Sequence, residues 1–194
     1  MSEQKKSIYE LLEADIMNSD LSEAEKAAKL SRLIQVRSKH VNIMLVGATG
    51  SGKSSTVNAM FNMNVAKVGV GVDPETTCIS KFDLDNLTIW DTPGLGDGVE
   101  RDKEITRDII TKLNELGEDG KPMIDLVVVI MDSSSKDLGT SYDLINTVLI
   151  PCLGSEAGKR IVIALNQADI AMKGNHWNKE ENKPDDVLNA FLKK

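Results

Sequence analysis

Residues 47–54 have the types and spacing of a loop that binds a polyphosphate. The run GATGSGKS begins at Gly47 and matches GxxxxGK[ST] at every fixed position. Glycines such as Gly50 and Gly52 let the backbone approach phosphate oxygens closely because they have no Cβ. Successive amide groups can then face inward as an anion-binding nest, and the positive end of the following helix adds to the attraction. An apolar run precedes the loop and a predicted helix follows it, so we predict a nucleoside triphosphate site.

Different parts of this loop are expected to bind different parts of that ligand. Lys53 should reach the β- and γ-phosphates, and Ser54 should place its hydroxyl on Mg²⁺. Ser51 lies within the predicted nest, and Ser55 should contact the α-phosphate. Lys53 is therefore a candidate catalytic residue, because phosphoryl transfer depends mainly on positioning and charge stabilisation.

A second polar motif, DTPG at residues 91–94, follows an apolar run that ends at Trp90. A carboxylate at the end of a strand can hold Mg²⁺ through a water molecule, which makes Asp91 a candidate metal ligand. The amide of Gly94 can bind the γ-phosphate and the residue can act as a pivot, so Gly94 is a candidate catalytic residue. The motif could also be an ordinary turn, but its position after a phosphate loop favours the functional interpretation.

The segment between these two motifs, residues 64–78, contains a pair of threonines. A threonine hydroxyl in this segment can complete the Mg²⁺ shell when the γ-phosphate is present. We favour Thr77 as this metal-binding and catalytic residue, with Thr76 as the alternative. The plainer interpretation is that both are ordinary residues at the start of a strand.

A third polar motif, NQAD at residues 166–169, follows the predicted strand Arg160–Leu165. Asp169 can accept two hydrogen bonds from N1–H and the 2-amino group of guanine. Adenine offers neither donor, so such a site would discriminate against ATP. Asn166 should tie this loop back to the phosphate loop, and Gln167 lies between the two. A polar loop without a ligand is the alternative interpretation.

The elements that must position these motifs alternate between strand and helix along the chain. This alternation predicts an α/β fold, a three-layer sandwich with a mostly parallel sheet and one antiparallel edge strand. The predicted strands are Val41–Val46, the hairpin Ile79–Leu84 with Leu87–Trp90, Ile124–Met131 and Arg160–Leu165. The predicted helices are Lys53–Asn62, Arg101–Leu116, Ser141–Leu149 and a last helix that Pro184 opens.

Residues 1–40 differ in character from residues 41–194, which form the predicted nucleotide-binding domain. The first 40 residues are charged and helical in pattern, and Ser22 with Glu25 resembles a capping box that starts a second helix. This N-terminal helical extension is expected to pack on the domain. A helix that faces a partner or a membrane is the alternative, and the mixed charge of its polar face weakens the membrane version.

Composition bounds the possible functions of the 194-residue chain. The net charge of −7 argues against nonspecific binding to duplex DNA, which requires a basic surface. The chain has two cysteines, too few for a disulfide framework, and no apolar run of about 20 residues that would span a membrane. With no signal-peptide pattern at the N-terminus, we expect a cytoplasmic protein.

Taken in order, these motifs resemble P-loop GTPases of the translation-factor class. The sequence is similar to the Era/EngA/septin-like superfamily, in particular to the YfjP/YeeP-like bacterial GTPases, and GATGSGKS with DTPGL is also similar to the Toc and immune-associated GTPases. The resemblance implies that the protein binds GTP and GDP with Mg²⁺, hydrolyses GTP to GDP and phosphate, and acts as a switch. It also implies an unidentified protein effector and a nucleotide-dependent homodimer. The alternative is a nucleotide-binding or self-assembling membrane-associated module with very low turnover.

Three departures from the family pattern carry their own expectations. Gln167 replaces the usual lysine of the base-binding motif, which should lower nucleotide affinity and leave guanine selection intact. Leu95 stands where Ras-like proteins place the glutamine that orients water, so intrinsic hydrolysis should be slow. No typical base-supporting loop follows Asp169, so we expect either a fragment of a longer protein, or a replacement of that element. A missing last strand and helix of the usual domain would expose an edge of the sheet.

Overall fold

A central sheet dominates the computed structural model, which describes residues 8–61, 78–84, 86–135 and 138–193. Its strands within these ranges are β1 (Val41–Val46), β2 (Ser80–Leu84), β3 (Leu87–Asp91), β4 (Leu126–Asp132) and β5 (Ile161–Asn166). They pair in the order β2-β3-β1-β4-β5. β3, β1, β4 and β5 are parallel, whereas β2 runs antiparallel to β3 at one edge. The predicted α/β fold class is confirmed.

The central strand β1 pairs with β3 on one side and β4 on the other. Ile43 lies opposite Ile89 of β3 and opposite Leu126 of β4. Because these three strands are parallel, their carboxyl ends meet at one edge of the sheet, where ligands bind in open α/β folds. The phosphate loop and the DTPG motif both begin at that edge.

Alternate residues of β1 face opposite sides of the sheet, and a helix packs on each side. On one face, Leu45 packs in a cluster with Val57 of helix α3 (Lys53–Phe61). On the other face, Met44 and Val46 belong to a larger cluster with helix α4 (Val99–Asn114). The buried residues of α4 lie at helical spacing, as the sequence predicts, and are Ile105, Ile109 and Leu113.

The predicted helix Ser141–Leu149 is part of a longer helical path. It starts as α5 (Gly139–Leu144), widens to a π-helical turn at Ile145–Leu149 and continues as α6 (Ile150–Leu153). Pro151 has no backbone N–H to donate to the preceding turn, which explains the changed register just before it. A 3₁₀ turn (Gly154–Glu156) and the short α7 (Ala157–Arg160) then lead into β5.

The N-terminal extension forms two helices, α1 (Ile8–Asn18) and α2 (Glu23–Arg37). The predicted capping box is present, since the Ser22 amide donates to Glu25 Oε2 at 3.0 Å and the Glu25 amide donates to Ser22 Oγ at 3.4 Å. No residue of α2 is buried. The extension is fastened to the domain by the Nδ2 group of Asn86, which donates to three carbonyl groups, those of Val36, Arg37 and Lys39.

The chain after β5 differs from its prediction in one boundary. Pro184 lies in a short antiparallel pair, β6 (Trp177–Asn178) with β7 (Lys183–Pro184), and does not open the last helix. Helix α8 (Asp186–Leu192) begins after Asp185, whose carboxylate accepts a hydrogen bond from the Leu188 amide at 2.9 Å. An acidic N-cap thus sets the start. β5 is the other edge of the sheet and exposes apolar side chains, namely Val162, Ile163 and Leu165.

None of the helices that the structure describes has both the length and the apolar character needed to cross a membrane.

Candidate nucleotide-binding site

The loop between β1 and α3 turns around glycines, two of which lie close against other parts of the chain. A Cβ at Gly47 would collide with the carbonyl oxygen of Ile130, and a Cβ at Gly52 would collide with Nδ2 of Asn166. Gly50 and Gly52 have φ angles of +75° and +95°, a region that other residues rarely adopt. The loop therefore wraps closely over the carboxyl edge of the sheet, as a phosphate-binding nest requires.

Lys53 is the cation at the centre of this loop. Its Nζ donates to the carbonyl oxygens of Gly47 at 3.1 Å and Ala48 at 2.9 Å, and the residue is only 6% exposed. Burial lowers the pKa of Lys53 to about 8, while the charges of Asp91 and Asp97 act in the opposite direction. An ammonium group has three N–H donors, so one donor remains to bind a phosphate.

The two predicted metal ligands at the carboxyl edge of the sheet are in direct contact. Ser54, at the start of α3, donates its hydroxyl to Asp91 Oδ2 at 2.8 Å. Asp91 ends β3, is 1% exposed, and its Oδ1 atom has no hydrogen-bond partner in the described part of the chain. Burial raises the pKa of Asp91, and the Ser54 hydrogen bond and the Lys53 charge oppose that shift.

This pair fits Mg²⁺ and does not by itself form a complete site. Mg²⁺ prefers oxygen ligands and is usually held by one or two protein groups together with phosphates and waters. The hydroxyl of Ser54 and the unpartnered carboxylate oxygen of Asp91 supply such groups. No cluster of three or more His, Cys, Asp or Glu residues that could hold a metal occurs within the described ranges.

The NQAD motif lies directly beside the phosphate loop. Asn166 donates from Nδ2 to the carbonyl oxygen of Ser51 at 2.9 Å, which is the tie expected from the sequence. Gln167 has a φ of +56° and donates from Nε2 to the carbonyl oxygen of Gly50 at 3.4 Å. Asp169 is exposed to solvent at the end of the motif. Its carboxylate is therefore accessible to a base that binds beside the loop.

The end of the DTPG motif and the residue after it pack on the phosphate loop. The Thr49 amide donates to the Leu95 carbonyl at 2.8 Å, and the Leu95 amide donates to the Gly47 carbonyl at 3.3 Å. A Cβ at Gly94 would lie 2.5 Å from Thr49 Cα and 2.7 Å from Thr49 N, so only glycine fits there. Leu95 itself is 6% exposed and belongs to the core cluster under α4. Its side chain therefore faces the core.

Two residues at this contact have no role in the sequence-based prediction. Thr49 donates its hydroxyl to Asp97 Oδ2 at 2.5 Å, which links the phosphate loop to the residues that follow the DTPG motif. The two residues are 48 positions apart, and no periodic pattern connects them. The only available signal is that an acidic residue closely follows DTPG.

The structure says less about the remaining predicted residues, Ser55, Thr76 and Thr77. Ser55 is exposed in the first turn of α3, one residue beyond Ser54. Thr77 and its alternative Thr76 lie outside the described residues, so their metal-binding role stays a prediction. The structure thus brings together the phosphate loop, Asp91, Gly94 and the NQAD motif at one edge of the sheet.

The chain is similar in fold to nucleotide-binding proteins. It superposes on a dimerisation-deficient variant of Toc33 from Arabidopsis thaliana with a TM-score of 0.55 and 18% identity, covering 90% of this chain and 67% of that one. For Toc33 solved with Mg²⁺ and GMPPNP, the TM-score is 0.55 and the identity 15%, over 93% of this chain and 70% of that chain.

Curated relatives are matched over part of their length. The chain is 31% identical over 143 residues to the Fe(2+) transporter FeoB of Helicobacter pylori (strain J99), which covers 70% of this chain and 19% of that protein. A family model described as the AIG1 family matches residues 41–193. Because that match takes in the sheet, the phosphate loop and the NQAD motif, the chain belongs to the AIG1 family and has the fold of the P-loop GTPases.

Proposed function

We propose that residues 41–194 form a Mg²⁺-dependent GTPase domain that hydrolyses GTP to GDP and phosphate and acts as a nucleotide-dependent switch. The observation that carries this proposal is the arrangement around Lys53. Its ammonium group lies in the glycine-rich loop, and the Ser54 hydroxyl contacts Asp91, whose second carboxylate oxygen is unpartnered. A cation, a hydroxyl and a buried carboxylate in this order fit a nucleotide polyphosphate with its metal ion.

Each part of the site has a distinct task in this proposal. The amides of Gly50 to Ser54 bind the phosphates, and Lys53 donates its remaining N–H to the β- and γ-phosphates. Ser54 and Asp91 would hold Mg²⁺, with Thr77 as a further proposed ligand, and the ion would neutralise charge on the phosphates. Gly94 offers its amide to the γ-phosphate. In hydrolysis, a water oxygen bonds to the γ-phosphorus and the bond to the β–γ bridging oxygen breaks.

Selection of the base is assigned to the NQAD motif. Asp169 accepts hydrogen bonds from N1–H and the 2-amino group of guanine, and its exposure leaves it accessible for this contact. Asn166 supports the motif by its 2.9 Å hydrogen bond to the Ser51 carbonyl. Gln167 covers the phosphate loop at Gly50 without supplying a positive charge. ATP offers no donors that match Asp169, so the site should discriminate against it.

Turnover by the isolated domain is proposed to be slow. Leu95 occupies the position of a water-orienting glutamine, and its side chain is apolar and buried in the core cluster. It cannot donate or accept a hydrogen bond. Another group, from this chain or a partner, must therefore orient the attacking water.

Several finer features belong to the proposal. We include a nucleotide-dependent homodimer, since dimerisation is named for Toc33, and an unidentified protein effector. A role for residues 1–40 as a separate extension is supported by a family match that begins at residue 41. A cytoplasmic location is supported by Cys78 and Cys152, which form no disulfide. Closer kinship with the YfjP/YeeP-like group of the Era/EngA/septin superfamily is a further part of the proposal. Association of residues 1–40 with a membrane is the alternative, which the mixed charge of their polar face weakens.

A single-turnover hydrolysis assay tests the proposed function. Purified protein is mixed with GTP, ATP or XTP in Mg²⁺, and phosphate release and bound nucleotide are measured. Wild type should bind and hydrolyse GTP and leave ATP intact. Asp169→Asn should lose GTP binding and gain XTP binding, because an amide presents a donor to xanthine. Asp108→Asn, an exposed carboxylate on α4, is the matched control and should behave as wild type. Equal use of ATP and GTP by wild type would contradict the proposal.

A further inference from the structure

The segment after Asp91 is hydrogen-bonded to the phosphate loop. Three hydrogen bonds hold it: two join the backbones of residues 47–49 and 95, and the third is the 2.5 Å bond from Thr49 Oγ1 to Asp97 Oδ2. Ala48 and Leu95 form a parallel β-bridge there. The segment is thus held by a short parallel pairing at Leu95 and, further along the chain, by a single side-chain hydrogen bond at Asp97.

The bond at Asp97 differs from the other two because it carries a charge. Asp97 and Thr49 are both exposed to solvent, so their bond can open without disturbing the core. The charge of Asp97 acts to raise the pKa of Lys53, the cation that is proposed to bind phosphate. Because Asp97 is hydrogen-bonded to Thr49 of the phosphate loop, its negative charge lies at the loop that is proposed to bind the phosphates.

We propose that the Thr49–Asp97 hydrogen bond is a latch by which Asp97 makes the site prefer a nucleoside diphosphate over a triphosphate. The inference rests on the proposed function, because it assigns a residue to the phosphate end of the same site. A diphosphate leaves the latch closed. A γ-phosphate brings additional negative charge next to the Asp97 carboxylate, and like charges at short range repel. The latch then opens and releases the segment that contains Gly94.

The latch would control the position of Gly94. In the closed arrangement the Thr49 amide donates to the Leu95 carbonyl, and a Cβ at Gly94 would collide with Thr49. Opening at Asp97 frees the segment from its outer end, so the Gly94 amide can turn toward the γ-phosphate. In the closed arrangement only glycine fits at position 94, since a Cβ there would collide with Thr49.

Competition between nucleotides measures the preference directly. The affinities of GDP and of a non-hydrolysable GTP analogue are measured in Mg²⁺ by fluorescence with labelled nucleotides, for wild type and two variants. Asp97→Asn keeps an acceptor oxygen for Thr49 and removes the charge. Glu100→Gln removes a charge of the same sign from the same stretch, where Glu100 pairs with Lys103 and not with the loop, and it serves as the control.

The expected result is a change in the ratio of the two affinities. Asp97→Asn should raise the preference for the triphosphate analogue about tenfold relative to GDP in ~50 mM salt. The increase should shrink in ~500 mM salt, because salt screens exposed charges. Glu100→Gln should leave the ratio as in wild type. Thr49→Val, which removes the bond and keeps the Asp97 charge, should raise the ratio by less and without the salt dependence.

Failure of this inference is distinct from failure of the proposed function. If wild type binds both guanine nucleotides and Asp97→Asn leaves their affinity ratio unchanged, the latch is wrong and the GTPase proposal stands. An equal change in Glu100→Gln would also overturn the latch, because a general charge effect would then explain the ratio. If wild type binds neither nucleotide, the proposed function fails and the latch fails with it.

Discussion

Replacing Gly52 by alanine should weaken the link between the phosphate loop and the base-binding motif. A Cβ at position 52 would collide with Nδ2 of Asn166, so that side chain must rotate away from the Ser51 carbonyl. Gly50 is a matched control, because it also has a positive φ, +75°, and a Cβ there would meet nothing within 4 Å. Both alanines would stand at a positive φ, which costs about 1–2 kcal/mol, and only Gly52→Ala also breaks a hydrogen bond.

The difference between the two variants therefore isolates the Asn166 contact. A typical intramolecular hydrogen bond contributes about 0.5–1.5 kcal/mol, so Gly52→Ala should lower the free energy of unfolding by ~1 kcal/mol more than Gly50→Ala. For a domain of this size that is a further drop in Tm of about 2–4 °C. Urea unfolding of the nucleotide-free protein is the assay, since bound ligand would mask the effect.

A double-mutant cycle tests the cause of that difference. In an Asn166→Ala background the colliding atom is gone, so Gly52→Ala and Gly50→Ala should destabilise the protein equally. GTP affinity should fall in Gly52→Ala and less in Gly50→Ala, because Asn166 positions the base-binding motif. If Gly52→Ala remains more destabilising than Gly50→Ala without Asn166, the collision is not the cause and the reasoning is refuted.

Three further predictions concern the charges at the site. Because phosphate binds the charged form of Lys53, whose pKa is lowered to about 8, nucleotide affinity should fall about fourfold from pH 7 to 8.5. Lys53→Arg should flatten that slope, which titration calorimetry at several pH values would measure, and an unchanged slope would contradict the assignment. Gln167→Lys restores a cation above the loop and should tighten GDP and GTP about threefold each in the same titration. Asp91→Asn should raise the Mg²⁺ concentration for half-maximal hydrolysis at least about tenfold, and an unshifted Mg²⁺ titration would exclude Asp91 as a ligand.

The sequence predicts the fold because its local signals and its topology agree. The apolar run of β1 ends at a glycine, a helix follows, and parallel strands bring their carboxyl ends to one edge. The phosphate loop follows β1, and Asp91 and Asn166 end β3 and β5, so their meeting at that edge follows from the strand topology. The contact between Ser54 and Asp91 is the clearest consequence of this strand arrangement.

Other features depend on packing that no local pattern records. The bond between Thr49 and Asp97 joins two loops, whose relative position is set by the close approach of Gly94 to the phosphate loop. The start of α8 was predicted at Pro184 and is wrong by two residues. A proline suits the first turn of a helix and also the end of a short strand, and the capping carboxylate of Asp185 decides between them.

Titration calorimetry with GTP and ATP in Mg²⁺, on wild type and Lys53→Ala, tests the central claim most directly. The claim is that the loop of residues 47–54 binds the phosphates of a guanine nucleotide. Wild type should bind GTP and show no heat of binding with ATP. Lys53→Ala should lose GTP binding. Undiminished GTP binding by Lys53→Ala, or no GTP binding by wild type, would contradict it.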